Sequence, residues 1–393
     1  MVAASGGRRC PASPRRGASG LFRHRSRSSV SLKHFLKRLI KIVLLIALVF
    51  ALGVGAVAFF AWQRYEGFAD APMTGIEAGE TLVVEPGDSL PKVLRTLRAQ
   101  GVDADPLHWR LLAKSTGAAG KIQVGEYALE PGMTPRTLLE RMRDGKVIRY
   151  RFTIVEGWNI RDLRAALARA TPLKQATADM DDAALMRALG RGGEHPEGRF
   201  LPETYLYTRN DTDLDVLKRA AVAMDKAVAD AWEGRDEGLP LRTPYELLTL
   251  ASIVEKETGI ASERPEIAGV FVRRLKVPMR LETDPTVIYG MGSSYAGNIR
   301  RTDLRADTPY NTYTRDGLPP TPIAMPGRDA LQATAHPAPG DALFFVAVGD
   351  GSGRHVFTKT YGEHRVAVAE YVKRYREQHG PRQQAPEPQA KTP

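Results

Sequence analysis

The longest apolar stretch of the chain is an uncharged run of 21 residues at 42–62. At a rise of about 1.5 Å per residue, a helix of this length crosses a hydrocarbon layer of about 30 Å. A cleaved signal peptide is the alternative, because Ala-Val-Ala at 56–58 resembles a cleavage site. The apolar run continues past that site, which favours an uncleaved transmembrane helix followed by a linker over 63–78.

Shorter patterns follow in residues 79–147, where strand-like alternation gives way to apolar positions three or four apart. The predicted elements are a strand at 81–85, a helix capped by Ser89, a helix at 106–114, a strand at 121–129 and a helix at 135–143. This order, with EPGDSLPKVL where the first strand leads into its helix, resembles the LysM glycan-binding fold. A spacer that positions the next domain is the alternative.

The pattern becomes mixed helical and extended from about residue 148. The predicted elements are helices near 160–169, 214–232, 243–258 and 263–275, and strands at 149–155, 342–348 and 354–359, the last two joined by a hairpin turn at 349–353. The fold class is therefore predicted to be α+β, with a transmembrane helix, a LysM-like module and a larger mixed catalytic domain over 148–379. The Pro- and Gln-rich residues 380–393 are predicted to be disordered.

The formal charge of +11 is concentrated at the N-terminus. Residues 1–41 contain eleven Lys and Arg and no Asp or Glu, which leaves 45 basic and 45 acidic residues in the rest of the chain. A neutral body lacks the clustered basic residues of a nucleic-acid-binding surface. Nucleic acid is therefore not an expected partner.

The basic tail also predicts the orientation of the membrane helix. By the positive-inside rule the tail stays in the cytoplasm, so the rest of the chain lies on the periplasmic side of a bacterial inner membrane. Trp62 and Tyr65 are suited to the far interface. The only cysteine, Cys10, lies in the tail, so the exported part is predicted to have no disulfide and no thiol chemistry.

The helix predicted at 243–258 has the clearest start in the sequence. Thr243 and Glu246 are spaced as a capping box, and Pro244 occupies the first helical position. On a helical wheel with Leu250 at zero, the apolar face centres near about 40°.

Two glutamates near the end of this helix take different positions on the wheel. Glu257 falls at about −20°, within the apolar face, and Glu255 at about 140°, nearer its margin. Desolvation among apolar neighbours would raise the pKa of Glu257 towards the value that a general acid needs. The alternative is a solvated or ion-paired glutamate. Its possible basic partners are Lys256, Arg264 and Arg274.

Long motifs around this helix resemble the endolytic murein transglycosylase family, also called YceG-like. They are EGRFLPETY at 197–205, ASIVEKETGIASERPEIAGVFVRRLKVPMRLETDPTVIYGMG at 251–292 and YNTYTRDGLPPTPIAMPG at 310–327. The Glu-Thr pair at 257–258 is also similar to the Glu-Ser pair of other lytic transglycosylases. The resemblance spans about residues 80–375.

The resemblance implies a reaction that needs one glutamic acid, Glu257. It protonates the oxygen between N-acetylmuramic acid and N-acetylglucosamine, then accepts the proton of the muramyl 6-hydroxyl as that oxygen attacks C1. The product is a 1,6-anhydromuramyl end. The implied substrate is a nascent glycan strand near the bilayer, whose elongation the cut terminates.

The resemblance also implies a set of residues that line the cleft beside Glu257, because sugar rings need aromatic faces and hydrogen-bonding groups. Prolines mark tight turns close to several of these positions, so capping of turn backbone is the alternative for each. The candidates are Glu197, Glu203, Arg280, Thr283, Asp284, Tyr310, Asn311 and Tyr313.

No cofactor and no metal are expected, because the histidines at 336, 355 and 364 lack the spacing of metal ligands. The expected partners are peptidoglycan glycan strands, the lipid bilayer through residues 42–62, and enzymes of wall synthesis. A non-catalytic, membrane-anchored glycan-binding scaffold is the alternative function. The need for Glu257 distinguishes the two.

Overall fold

The computed structural model describes residues 30–380. The predictions for Cys10 and for most of the basic tail lie outside the described residues, as does the disorder predicted for 381–393. The chain divides into two compact units, with the boundary after Ala71.

The first unit contains a single helix, α1, from Val30 to Asp70. Its segment Lys33–Asp70 is long and apolar enough to cross a membrane, and its apolar window is 0% buried. This is compatible with a single-pass membrane anchor. Within the predicted linker 63–78, residues 63–70 continue α1, which ends two residues before Pro72.

The second unit begins with a small module of two strands and three helices. They are β1 (Thr81–Val84), α2 (Leu90–Ala99), α3 (Pro106–Ser115), β2 (Gly125–Ala128) and α4 (Pro135–Asp144). The two strands pair antiparallel, and Trp109 and Leu112 of α3 are fully buried. The predicted order of strand, helix, helix and strand is confirmed, and the likeness to LysM stays a prediction.

The remaining elements are helices and two separate two-stranded sheets, so the α+β class is confirmed. They are β3 (Tyr150–Thr153), α5 (Ile160–Leu167), α6 (Asp182–Ala188), β4 (Thr204–Tyr207), α7 (Asp213–Glu233), α8 (Pro244–Glu257), α9 (Arg264–Lys276), α10 (Asp284–Met291), α11 (Arg301–Arg305), α12 (Arg328–Ala335), β5 (Phe344–Ala347), β6 (His355–Thr358) and α13 (Tyr361–His379). Strands β3 and β4 pair antiparallel, and the hairpin predicted around 349–353 joins β5 to β6.

Helix α8 contributes to a large hydrophobic core together with α7, α9, α12 and β5. Every residue from Leu247 to Val254 is buried. The two hydroxyl groups in this stretch are satisfied locally, since Thr249 donates to the Tyr245 carbonyl at 2.8 Å and Ser252 donates to the Thr249 carbonyl at 2.7 Å. A helix buried on all sides has its position fixed by packing.

The start of α8 follows the prediction in part. Thr243 accepts the Glu246 N–H at 3.2 Å, and Pro244 occupies the first turn. The second half of the predicted capping box is absent from this helix, because the Glu246 carboxylate accepts the Arg242 N–H at 2.5 Å in place of the Thr243 N–H.

The carboxylate of Glu126 links the small module to the larger region. Glu126 lies on β2 and is 3% exposed. It accepts hydrogen bonds from Thr81 (2.9 Å), Tyr150 (2.8 Å) and Arg209 (3.0 Å), the last two beyond the module. Burial opposes its charge, but these three hydrogen bonds outweigh burial and lower the pKa of Glu126 below 4.5.

Replacing Glu126 by Gln should therefore destabilise the second unit. We expect the free energy of unfolding of residues 72–393 to fall by roughly 1–3 kcal/mol at pH 7, the usual range for a hydrogen bond to a charged group. Because the folded pKa is lowered, this contribution is present above about pH 4.5 and is lost as the pH falls through the folded pKa. Urea unfolding of wild type and Glu126→Gln at several pH values measures it, with exposed Glu237→Gln as the control. A difference that grew on acidification would contradict the assignment.

Candidate active site

Glu257 is the last residue of α8, as predicted. Its side chain is partly exposed, whereas the preceding turns of the helix are buried. The next residue, Thr258, is extended and buried, and its hydroxyl oxygen accepts the Ile260 N–H at 3.0 Å. A buried helix on one side and a capped turn on the other therefore fix the backbone at Glu257.

The start of α10 meets the end of α8 through a hydrogen bond. The Thr283 hydroxyl donates to Oε1 of Glu257. Thr283 is 1% exposed, and its N–H donates to the Thr312 hydroxyl oxygen at 3.0 Å. Thr312 is in turn 2.9 Å from the Thr286 hydroxyl. The group that contacts Glu257 is thus held by two further buried threonines.

Tyr313 and Asp284 form a second hydrogen-bonded pair beside Glu257. The Tyr313 hydroxyl donates to Oδ1 of Asp284 at 2.6 Å. Burial, followed by the charges of Asp284 and Glu257, raises the pKa of Tyr313 far above its ordinary value. Tyr313 is therefore a permanent hydrogen-bond donor at neutral pH.

Arg280 lies at the exposed margin of this group. Its Nη1 donates to the Tyr313 carbonyl at 3.0 Å, and its Nε is 3.0 Å from Oδ1 of Asp316. About half of its side chain is exposed. Hydrogen bonds thus connect Thr283 with Glu257, and both Asp284 and Arg280 with Tyr313. Their role in lining a substrate cleft stays a prediction.

Arg274 and Glu282 hold the segment that precedes Thr283. The sequence analysis did not assign either residue to the site. The Arg274 side chain is fully buried and donates to the carbonyls of Arg280 (2.9 Å) and Leu343 (2.7 Å). Its Nη1 is 3.4 Å from Glu282, a residue with a positive φ of 46°. The segment that leads to Thr283 is therefore held by buried hydrogen bonds and an ion pair to Arg274.

Glu255 is more buried than the helical wheel predicted, because the wheel placed only Glu257 among apolar neighbours. The Glu255 side chain is 6% exposed, and burial raises its pKa. Its carboxylate accepts the Gly327 N–H at 2.9 Å and is 3.8 Å from Arg264. The wheel assumed one apolar face, but α12 packs over the side where Glu255 lies. Glu255 therefore has a neighbourhood of its own, away from Thr283.

The basic residues considered as partners of Glu257 have other contacts. Lys256 donates to the Gly157 carbonyl at 3.2 Å. Arg264 lies between three carboxylates, at 3.8 Å from Glu255, 3.7 Å from Glu156 and 3.4 Å from Asp329.

Glu197 does not line a cleft, because it is 0% exposed. Both of its carboxyl oxygens accept the Ile160 N–H at 3.1 Å, at the start of α5. Burial raises the pKa of Glu197 to about 7, against the opposing effect of the Ile160 N–H and the nearby Tyr289 hydroxyl. Tyr289 lies on α10, so Glu197 contacts the helix whose start holds Glu257.

The other three candidates for the cleft lining, Asn311, Tyr310 and Glu203, also make contacts within the protein. Asn311 is 1% exposed, and its amide donates to the carbonyls of residues 303, 304 and 306 at 2.7–3.2 Å. The Tyr310 hydroxyl is 2.9 Å from the Thr321 hydroxyl, and its ring packs edge-to-face on Tyr289 at 4.8 Å. Glu203 pairs with Arg328 at 2.9 Å and is about 43% exposed. For Asn311 the turn-capping alternative describes the contacts better than cleft lining.

The chemistry available at the site is that of carboxyl and hydroxyl groups. In the part of the chain that the structure covers, residues 30–380, no group of three or more His, Cys, Asp or Glu could hold a metal ion.

A model of the YceG-like family matches residues 82–370, which include every residue of this site. The chain belongs to the YceG-like family. The resemblance drawn from the sequence motifs is thereby confirmed.

Relatives of this YceG-like chain carry a functional name. An endolytic murein transglycosylase of Bacillus subtilis strain 168 is 31% identical over 303 residues, which are 73% of this chain and 83% of that protein. One of Streptococcus pneumoniae strain D39 is 26% identical over 326 residues, 74% of this chain and 58% of the longer relative. A YceG-like protein of Listeria monocytogenes has a solved structure with 29% identity, a TM-score of 0.47, and coverage of 73% of this chain and 98% of that one.

Glu197 should give this YceG-like protein an unusual pH dependence of stability. Its folded pKa of about 7 lies above the ordinary 4.5, so the folded state binds the proton more tightly and stability falls as the pH rises from about 4.5 to about 7. The fall attributable to Glu197 is at most about 3 kcal/mol. Glu197→Gln in residues 72–393 should lose this component, which urea unfolding at pH 5 and pH 8 measures. An unchanged pH dependence would contradict the assignment.

Proposed function

We propose that this chain is an endolytic murein transglycosylase with Glu257 as its catalytic acid and base. Family membership and the names of the relatives support the reaction. The observation that carries the residue assignment is the hydrogen bond from Thr283 to Glu257, at the point where α8 meets α10. It fixes the position of the Glu257 carboxyl group relative to the start of α10.

The reaction needs only one carboxyl group. Glu257 gives its proton to the glycosidic oxygen between N-acetylmuramic acid and N-acetylglucosamine, and the C1–O bond breaks. The resulting carboxylate accepts the proton of the muramyl 6-hydroxyl as that oxygen bonds to C1, so the proton count is restored. Because the nucleophile belongs to the substrate, no water and no second carboxylate to activate it are required.

The neighbours of Glu257 supply the other requirements of such a site. Asp284 is a carboxylate that the Tyr313 hydroxyl orients, and negative charge beside C1 stabilises the positive charge that develops there. Half-exposed Arg280 is placed at the margin to donate hydrogen bonds to a sugar or its peptide stem. Tyr310 and Glu203 remain candidate substrate contacts on the family resemblance alone.

The membrane anchor bears on which strands are cut. Helix α1 holds the second unit on the periplasmic side of the inner membrane, where glycan strands are polymerised. A tethered enzyme reaches only strands near the bilayer, so we assign it to the termination of nascent strands. Wall-synthesis enzymes are the natural protein partners at that location.

The decisive experiment compares Glu257→Gln with Glu255→Gln. Full-length proteins in detergent are incubated with uncrosslinked glycan strands, and the products are identified by mass spectrometry. We expect internal fragments with 1,6-anhydro ends from wild type and from Glu255→Gln, and none from Glu257→Gln. The two glutamates lie on the same helix, so the second variant controls for a general effect of losing a carboxylate there.

Other outcomes have defined meanings. Anhydro products from Glu257→Gln but not from Glu255→Gln would move the catalytic role to Glu255. Reducing ends in place of anhydro ends would indicate a hydrolase. Intact strands from all three folded proteins would favour the glycan-binding scaffold.

Thr283 should affect the rate through Glu257. Thr283→Val removes the donor to Oε1, and a hydrogen bond to a charged group contributes about 1.5–3 kcal/mol. We expect kcat to fall by roughly 10- to 100-fold. Thr283→Ser keeps the hydroxyl and should retain most of the activity. Steady-state assays with labelled glycan test this, and equal activity of the Val and Ser variants would contradict it.

A further inference from the structure

Helix α3 of the small module has an exposed face of mixed apolar and basic character. Leu107 is 64% exposed and Leu111 is 50% exposed. Arg110 and Lys114 are also exposed and fall within about 100° of the two leucines on the helical wheel. We call these four residues the α3 face. Trp109 and Leu112 on the opposite side are fully buried, so the α3 face is the side of the helix that the module does not use for its core.

The basic character extends beyond α3. The two helices α2 and α3 contain five Lys and Arg and no Asp or Glu. Lys92 of α2 pairs with Asp88 at 2.7 Å, whereas Arg95 and Arg98 add two further exposed guanidinium groups. A surface with two large exposed leucines next to basic side chains is suited to the interface of a lipid bilayer, where anionic headgroups lie above the apolar acyl chains.

The chain connection between α1 and the module is short. Helix α1 ends at Asp70, and the Met73 N–H donates to the Met133 carbonyl at 2.8 Å within the second unit. Only residues 71 and 72 lie between, and three peptide units span at most about 11 Å. The module is therefore the first folded part of the chain after the proposed membrane anchor.

We propose that the α3 face binds the surface of the membrane in which α1 is anchored, at anionic lipid headgroups. Leu107 and Leu111 enter the interfacial region, and Arg110 and Lys114 contact lipid phosphates. The inference rests on the proposed anchor role of α1 and not on the assignment of Glu257. Because the Glu126 contacts join the module to Tyr150 and Arg209, binding through α3 orients the whole second unit on the bilayer.

The test uses the full chain in vesicles and an environment-sensitive dye. In a Cys10→Ser background, Leu111→Cys carries the apolar dye on the α3 face. Val222→Cys, 66% exposed on α7, carries it as the matched control. The vesicles contain about one-third anionic lipid and a nitroxide quencher at the headgroup. We expect quenching and a blue shift at position 111, little change at position 222, and several-fold weaker quenching in purely zwitterionic vesicles.

A second pair of variants tests the residues themselves. Adding Leu107→Glu should abolish quenching of the dye at position 111, whereas adding Val366→Glu, also at a 66% exposed position, should leave it unchanged. Thermal unfolding of each variant confirms that the module is folded, and flotation with the vesicles checks α1 separately.

The outcomes against the proposal are distinct. Equal quenching at 111 and 222, or none at either in protein that floats with vesicles, would overturn it. Quenching at 111 that appears only in native membranes would indicate a protein partner in place of lipid. Protein that fails to float would refute the anchor itself, and the catalytic assay remains independent of all these results.

Discussion

The structure of the site depends on the burial of α8 from Leu247 to Val254. These residues contact protein on every side, so the helix cannot turn or slide without opening the hydrophobic core that it shares with α7, α9 and α12. Glu257 lies three residues after this stretch, and its carboxyl group accepts a hydrogen bond from Thr283. A rigid helix therefore fixes the backbone of Glu257, and Thr283 fixes one of its carboxyl oxygens. A carboxyl group on a mobile loop would lack this definition.

The start of α8 and the glutamate at its end were predictable from local rules, whereas the other candidate residues came from the family resemblance. Thr243 and Pro244 specify where α8 begins, and the helical period then places a glutamate at its end. Helix α10 was missed although Thr283, Asp284 and Pro285 have the order of a helix start, because Asp-Pro also occurs in turns. Arg274 had a readable signal as well, since its wheel position falls between buried Ile267 and Val270 of α9.

What the sequence did not provide is the packing around each carboxyl group. A wheel assigns one apolar face and therefore left Glu255 at a margin, but α12 covers that margin. The motif that contains Glu197 carries no sign of complete burial, which follows from the approach of α5 and α10. Asn311 matched a family motif, yet its amide donates to three carbonyl groups at the end of α11 and just after it. The differences at Glu255 and Glu197 arise from contacts between segments far apart in sequence.

Glu126 and Glu197 show how partners decide the effect of burial on a carboxylate. Both are almost completely buried, but a guanidinium and two hydroxyl groups lower the pKa of Glu126, whereas burial outweighs an N–H and a hydroxyl and raises that of Glu197. Glu126 is consequently an ionic joint between module and catalytic region, and Glu197 an acid that holds the start of α5. A buried charge with three hydrogen-bond donors strengthens the contact between the two regions. If Glu257 is the catalytic residue, as proposed, this contact keeps it in a fixed position relative to the small module.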